Sequence, residues 1–305
     1  MIDQDINRTL YGYEKLFNLF MRLNNENRMP NKFVISGKKG IGKSTFAYHL
    51  INYFFSIKEE NKYDLKNYSI YEENKSYNLV KNLTHPNFFL IDLDYGKKKI
   101  DIEKIRKAIN FSNKSSFNNE KKFILIDNIE FLSLSSANAL LKIIEEPNDD
   151  LVFVIIHNSY YKIMDTIKSR CIYFNINLSR AECIDCFEKI SNEKFSSIFN
   201  KNFENNYFSV SDYLNLRNIA INEQLNLKDT NYFELIKYFL SFKTKNLSDF
   251  SLMIKLIQIY YRQNLLSNFS INKYDELSNL FKKANDAKKF NLNLENLFLE
   301  IEKKI

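Results

Sequence analysis

The sequence predicts an α/β fold in three parts: a domain with a five-stranded parallel sheet at residues 1–176, a small helical unit at 177–227 and an all-helical unit at 228–305. Three observations predict this arrangement. Five short apolar runs alternate with helical patterns before residue 177, as they do in parallel sheets covered on both faces. Three of the chain's five glycines fall within six residues, where the backbone must turn sharply. After residue 177 strand-like runs disappear, and apolar residues recur at helical spacing.

Each predicted strand is a continuous apolar run, which indicates burial on both faces of the sheet. The five runs are Phe33–Ser36, Phe88–Asp92, Phe123–Asp127, Leu151–Ile156 and Cys171–Phe174. Two helices are predicted between the later strands. The first is capped by Asp101. The second begins at Ser135 or Ser136 and ends at Pro147. Residues 57–84 are polar and irregular, and they predict an insertion that holds one helix.

Length, charge and cysteine content narrow the class of protein. A chain of 305 residues with 45% apolar content can form two or three domains with their own cores. No run of 18 apolar residues occurs, and Met1–Asp5 lacks the basic start of a secretory signal, so we expect neither a membrane span nor an export signal. Three cysteines make no disulfide framework, which favours a reducing, cytoplasmic setting. The net charge is +7, and most of the basic residues are lysines spread along the whole chain. This charge is too diffuse to indicate nucleic-acid binding.

The glycine-rich segment Gly37–Ser44 matches the pattern GxxxxGK[ST] in full. It follows a predicted strand and opens a predicted helix over Thr45–Phe55, so backbone N–H groups point at bound phosphates. Lys43 is expected to reach the β- and γ-phosphates of ATP, and Ser44 to ligate Mg²⁺. The residues predicted to bind the nucleotide here are Gly37, Gly40, Gly42, Lys43, Ser44 and Thr45.

A second candidate group is Asp127, which ends the third predicted strand beside this loop. A carboxylate in that place can hold the Mg²⁺ shell. In hydrolysing relatives a Glu follows and orients the attacking water, whereas here Asn128 follows. Because an amide cannot accept a proton, the general base is lost at that position. Glu130 lies two residues further on, and a regular strand end would point it elsewhere.

Four further segments resemble one family. They are Tyr11–Glu14, Thr84–Asn87, the predicted helix Ser136–Pro147 and Ser169–Cys171. Together with the phosphate loop they resemble, in order and spacing over residues 10–175, the clamp-loader subunits of the AAA+ class. Within that class the chain most resembles the delta-prime subunit family of bacterial DNA polymerase III.

The resemblance implies roles for particular residues. Arg170 would be an arginine finger that reaches the γ-phosphate of ATP held by a neighbouring subunit. Asn158, after the fourth strand, would sense the γ-phosphate at the chain's own site. The family's lid domain corresponds to 177–227, where no Gly-x-x-Arg sensor is found and Arg217 is the candidate counterpart. Together with Asn128, this gap implies weak or absent hydrolysis.

The resemblance also implies partners and excludes a metal site. The C-terminal unit would form the collar of a hetero-pentamer with gamma/tau and delta subunits, and the complex would act on the sliding clamp and primer-template DNA. Some relatives carry a four-cysteine zinc module between the phosphate loop and the second strand. Residues 45–122 contain no Cys, so no zinc site is expected there. Cys183 and Cys186 have CxxC spacing but no second Cys or His pair nearby, which favours two ordinary thiols on a helix.

Three functional hypotheses remain open from the sequence. The leading one is a clamp-loader subunit that binds ATP with little hydrolysis and activates a neighbour. The second is a hydrolysing motor of the gamma/tau type, against which stand Asn128 and the missing zinc cysteines. The third is a P-loop kinase or another small-molecule enzyme, which the all-helical second half disfavours.

Overall fold

The structure is a computed structural model that describes residues 7–94, 97–145, 148, 150–241 and 247–267, with isolated positions at 275, 278–279 and 282–283. The chain divides into two compact units. The first comprises Met1–Ile190 with Ser209–Ser211, and the second comprises Ser191–Phe208 with Asp212–Ile305. The predicted three-part division at 1–176, 177–227 and 228–305 remains a prediction.

A five-stranded parallel sheet organises the first unit, as predicted. Its strands are β1 (Lys32–Gly37), β2 (Phe88–Ile91), β3 (Lys122–Ile126), β4 (Leu151–Asn158) and β5 (Ile172–Asn175). They lie in the order β2-β3-β4-β1-β5, which brings β1 and β3 to either side of β4. All neighbouring pairs are parallel, so their carboxyl ends meet at one edge.

The helices of the first unit are α1 (Glu14–Asn25), α2 (Lys43–Ser56), α3 (Lys75–Lys81), α4 (Ile102–Ser112), α5 (Leu134–Glu145), α6 (Asp165–Lys168) and α7 (Arg180–Ser191, whose last residue belongs to the second unit). Two predicted starts need correction. Asp101 is the N-cap residue of α4, but its side chain makes no capping bond there and pairs with Lys97 instead. Helix α5 begins before Ser135, and Ser133 Oγ accepts the backbone N–H of Ser136 at 3.1 Å. The predicted stop at Pro147 lies outside the described residues.

Helices cover both faces of the sheet. Val34 of β1 belongs to a buried cluster that includes Ile105 of α4 and Leu140 of α5. Phe33, the preceding residue, points to the opposite face. There it packs on Phe20 of α1, with ring centroids 4.7 Å apart. This burial on both faces explains why the strands read as continuous apolar runs.

The described part of the second unit is helical, as predicted for the chain after residue 177. Its helices are α8 (Phe195–Ile198), α9 (Lys201–Asn205), α10 (Val210–Asn222, whose first two residues belong to the first unit), α11 (Tyr232–Ser241) and α12 (Leu247–Ser267). Aromatic side chains fill the space between α8, α9 and α10: Phe199 lies 5.2 Å from Phe203 and 5.4 Å from Tyr213 between ring centroids. Within the described ranges, no helix is both long and apolar enough to cross a membrane.

Candidate phosphate-binding site

The loop between β1 and α2 has the backbone geometry of a phosphate cradle. Gly37 is the last residue of β1, and Lys43 is the first residue of α2. Gly40 and Gly42 have φ angles of +79° and +91°, which other residues adopt only with strain. A Cβ at Gly40 would also lie 2.5 Å from Ser209 Oγ. The glycines found in the sequence are therefore required by the shape of the loop.

Lys43 folds its ammonium group back over the loop. Its Nζ donates to the carbonyl oxygens of Gly37 at 2.9 Å and Lys38 at 2.7 Å, and the residue is buried. Burial lowers the pKa of Lys43 to about 8, against the opposing effect of Asp127 and Glu130. An anionic ligand at this point would raise the pKa of the ammonium, because an opposite charge favours the charged form.

The hydroxyl of Ser44 donates to Oδ2 of Asp127 at 2.7 Å, so the two predicted Mg²⁺ ligands lie side by side. Burial, together with the neighbouring Asp92, raises the pKa of Asp127 to about 6. Thr45, half-buried, follows Ser44 in the first turn of α2. The loop residues predicted from the pattern are thus together in one place.

The Ser44–Asp127 pair suits Mg²⁺ shared with phosphates. Mg²⁺ in nucleotide sites is held by one or two protein groups while phosphates and water supply the remaining ligands. Among the described residues, no group of three or more His, Cys, Asp or Glu side chains is placed to hold a metal ion by itself.

The end of β3 is irregular, and this changes the position of Glu130. Asn128 has a left-handed conformation with φ 58°, and a short 3₁₀ turn, Ile129–Phe131, follows it. Oε2 of Glu130 accepts the backbone N–H of Asn158 at 3.3 Å, and Lys43 and Lys39 act electrostatically on its carboxylate. The prediction that Glu130 points away from the site is wrong, because it assumed a regular strand end.

Asn158 is the last residue of β4 and is paired in register with Gly37 at the start of the loop. Its Oδ1 accepts the backbone N–H of Tyr160 at 3.2 Å, which turns the chain after β4. The preceding His157 is buried, and its Nε2 donates to the carbonyl oxygen of Tyr161 at 2.9 Å. Asn158 therefore lies beside the start of the phosphate loop, and its role as a γ-phosphate sensor remains a prediction.

Arg170 has different neighbours. Its Nε and Nη2 lie 3.0 Å and 2.8 Å from Oε1 of Glu145 at the end of α5. Its Nη1 donates to the carbonyl oxygen of Thr166 at 2.9 Å and to Oγ of Ser169 at 3.2 Å. These bonds hold the guanidinium group on α5 and α6, while more than a third of its side chain stays exposed.

Two findings concern the predicted lid. Arg217 forms an ion pair with Glu193 within the second unit. The start of α10 instead lies on the phosphate loop, where the backbone N–H of Ser211 donates to the carbonyl oxygen of Gly40 at 3.0 Å. This contact joins residues 171 positions apart, and nothing local in the sequence indicates it.

A complete phosphate loop at the carboxyl edge of this five-stranded parallel sheet defines a P-loop protein. The model of the family described as "DNA polymerase III, delta subunit" matches residues 12–180, more than half of the chain. The chain belongs to this family.

Individual relatives agree with the family. The chain is 27% identical over 154 residues to the DNA polymerase III subunit delta-prime of Pseudomonas aeruginosa, covering 50% of this chain and 45% of that protein. It is 30% identical over 202 residues to the DNA polymerase III subunit gamma of Buchnera aphidicola from Acyrthosiphon pisum, covering 64% and 53%. The chain thus spans about half the length of the curated relatives it matches.

Among solved structures, a DNA polymerase III gamma subunit-related protein from Thermotoga maritima aligns over 96% of this chain and 99% of its own, with a TM-score of 0.45 and 18% identity.

Proposed function

We propose that the chain is a clamp-loader subunit of the replicative DNA polymerase III, which binds ATP at residues 37–44 and hydrolyses it slowly or not at all. The observation that carries this proposal is the complete phosphate loop, folded between β1 and α2, in a chain of this family. Such a subunit would work in the cytoplasm.

The loop residues would bind the nucleotide by exchanging their present partners. The Lys43 ammonium, now bonded to the carbonyl oxygens of Gly37 and Lys38, would turn to the β- and γ-phosphates. Backbone N–H groups at the start of α2 would face the same oxygens. Ser44 and Asp127, already side by side, would hold Mg²⁺, which neutralises phosphate charge when bound. Asn158 would face the γ-phosphate from the end of β4.

We expect slow hydrolysis because Asn128, and not a glutamate, follows Asp127. The side chain that follows Asp127 is an amide, and its Nδ2 donates to Oδ1 of Asp92 at 2.7 Å. An amide cannot take a proton from water, so no general base stands at the usual place. We also find Arg217 paired with Glu193 in the second unit, which leaves Ser211, not an arginine, beside Gly40.

Arg170 would act on a neighbour rather than on this chain's own nucleotide. Its guanidinium is planar and permanently charged, in a chain that otherwise uses far more lysine than arginine. It is partly exposed, as a group offered to another subunit must be. To reach a γ-phosphate, the Arg170 guanidinium would give up its bonds to Glu145. Its N–H groups would then donate to the phosphate oxygens instead.

The proposed partners are gamma/tau and delta subunits in a hetero-pentamer, with residues 228–305 in the collar. The assembled complex would engage the sliding clamp and primer-template DNA. Names of the relatives support this, since they are subunits delta-prime and gamma of DNA polymerase III.

The alternative is a hydrolysing motor of the gamma/tau type, which the match to the Buchnera gamma subunit favours because it covers 64% of this chain. One experiment separates the two. Binding of Mg·ATP to the purified chain is measured by calorimetry beside a steady-state ATPase assay, with Lys43→Ala as the binding-deficient variant.

The matched control is Lys39→Ala, an exposed lysine of the same loop. Tight binding without appreciable turnover, lost in Lys43→Ala and largely kept in Lys39→Ala, supports the proposal. Rapid turnover that disappears in Lys43→Ala selects the motor. A wild-type chain with no affinity for ATP refutes the nucleotide site.

A further inference from the structure

The side chains of Asn128 and Glu130, which follow β3, bond to residues at the ends of the two different strands beside β3 in the sheet. Asn128 reaches Asp92, which follows β2, through a 2.7 Å bond between its Nδ2 and Oδ1 of the carboxylate. Strand β2 is the edge strand, on the side of β3 away from the phosphate loop. The left-handed backbone at Asn128 fixes this direction. The Asn128 side chain is therefore held by Asp92, on the β2 side of β3.

Glu130 faces the other way, toward β4 and β1. Its Oε2 accepts the backbone N–H of Asn158 at the end of β4. The next residue, Ser159, donates its backbone N–H to the carbonyl oxygen of Gly37 at 3.1 Å. That same oxygen accepts the ammonium of Lys43. The Glu130 carboxylate and the Lys43 ammonium are thus anchored on adjoining residues of the β4–β1 pair.

The surroundings of the Glu130 carboxylate favour its acting as a base. It is half-buried, and burial raises the pKa of Glu130 above its ordinary value. The charges that act on it most are those of Lys43 and Lys39, both in the phosphate loop. A carboxylate whose pKa is raised accepts a proton more readily than an ordinary one.

We propose that Glu130, rather than residue 128, is the carboxylate that orients the attacking water at this chain's own nucleotide. The inference rests on the proposed binding of a nucleoside triphosphate at residues 37–44. The water oxygen bonds to the γ-phosphorus while the bond from that phosphorus to the β-bridging oxygen breaks. One water proton passes to Glu130 and from there to solvent. The products are the nucleoside diphosphate, inorganic phosphate and that proton.

The test is a single-turnover measurement on the full chain, held in excess over labelled Mg·ATP, beside the dissociation constant of the same nucleotide. Glu130→Gln keeps a carbonyl oxygen for the Asn158 N–H but cannot take a proton. We expect its dissociation constant to stay within about threefold of wild type while the hydrolysis rate falls roughly 100-fold or more, as for loss of a general base.

The matched control is Glu120→Gln, a half-buried carboxylate at the other end of β3 that pairs with Lys58. It should leave both quantities unchanged.

A second variant tests position 128 directly. Asn128→Glu in the Glu130→Gln background should not restore the rate, because residue 128 is directed at Asp92. Three results overturn the inference: a wild-type rate in Glu130→Gln, restoration by Asn128→Glu, or a wild-type chain that binds ATP and shows no hydrolysis above the protein-free rate. A chain that does not bind ATP at all refutes the proposed function, and the role of Glu130 with it.

Discussion

Oε1 of Glu145 lies within hydrogen-bond distance of two guanidinium nitrogens of Arg170, Nε at 3.0 Å and Nη2 at 2.8 Å. The two residues are 25 positions apart: Glu145 ends α5, and Arg170 follows α6. Both side chains are more than a third exposed, so the pair contributes little stability, in the range of about 0–1 kcal/mol. Because the pair is weak, a phosphate can replace Glu145 as the partner of Arg170.

The first prediction concerns this pair in the assembled loader. Arg170→Ala should reduce hydrolysis at the neighbouring site by on the order of 10³-fold, because a finger stabilises transition-state charge. Arg170→Lys should not restore it, since an ammonium lacks the planar fork. Glu145→Gln should keep or increase the rate, because it loosens the competing contact. DNA-stimulated ATPase is the measurement, with gel filtration to show that each variant still assembles.

A normal rate in Arg170→Ala would remove the finger role. A loss in Glu145→Gln as large as in Arg170→Ala would show that Glu145 positions the arginine rather than competing for it.

The second prediction concerns the contact between Gly40 and the start of α10. A Cβ at Gly40 would lie 2.5 Å from Ser209 Oγ and 2.7 Å from Ser211 Cβ. Gly40→Ala adds this clash to the strain of a positive φ, each on the order of 1–3 kcal/mol. Gly42→Ala is the matched control, because its φ is also positive but its Cβ would meet only Tyr13, at 3.5 Å. We expect a larger drop in Tm and in ATP affinity for Gly40→Ala. Equal effects of the two variants would show that the α10 contact does not shape the loop.

The strands and the phosphate loop could be predicted because their determinants are local. Continuous apolar runs between helical patterns placed all five strands to within two residues. The glycines at positions 37, 40 and 42 marked the loop because few other places in this glycine-poor chain can turn so sharply.

Long-range contacts could not be predicted in the same way. The strand order places β4 between β1 and β3, and neither composition nor periodicity encodes that order. The direction of Glu130 depends on the left-handed turn at Asn128 and on the distant Asp92. An Asn after a strand was a weak hint, since Asn tolerates that conformation better than most residues. The partners of Arg170 and Gly40 likewise come from other parts of the chain.

The third prediction concerns Lys122, a buried lysine at the start of β3. Its Nζ donates to the carbonyl oxygens of Phe111 at 2.6 Å, Ser112 at 3.3 Å and Lys114 at 2.5 Å, and so closes the end of α4. Lys122→Met leaves these carbonyls without their donor, and we expect a loss of about 2–4 kcal/mol in the free energy of unfolding. Urea denaturation measures it.

Lys121→Met is the matched control for this variant. The Lys121 ammonium lies 5.6 Å from the centroid of the Phe54 ring, and the residue is only half-buried. Its replacement should cost less than about 1 kcal/mol. If both variants lose the same stability, the carbonyl cluster around Lys122 is not what holds α4 to the sheet.

The fourth prediction is a pH dependence of stability that originates at His49. This residue is fully buried, and its Nε2 donates to the carbonyl oxygen of Asn7 at 2.8 Å while Nδ1 accepts the hydroxyl of Tyr63 at 2.9 Å. Burial lowers the pKa of His49 to about 4, from an ordinary 6.5. Between these values the unfolded chain binds more protons than the folded one, so stability falls as the pH drops.

Asp127 changes the stability in the opposite direction, because its raised pKa makes the folded state take up a proton as the pH falls through about 6. The contribution of His49 is therefore measured as a difference in stability between wild type and a His49 variant. His49→Gln keeps a donor and an acceptor but does not titrate. It should be less stable than wild type at pH 7.5, and the gap should narrow by about 2 kcal/mol at pH 5, which is 1.5 pH units below the unfolded pKa. Urea unfolding at the two pH values gives the gap. A gap that stays constant would mean that His49 is not held neutral in the folded chain.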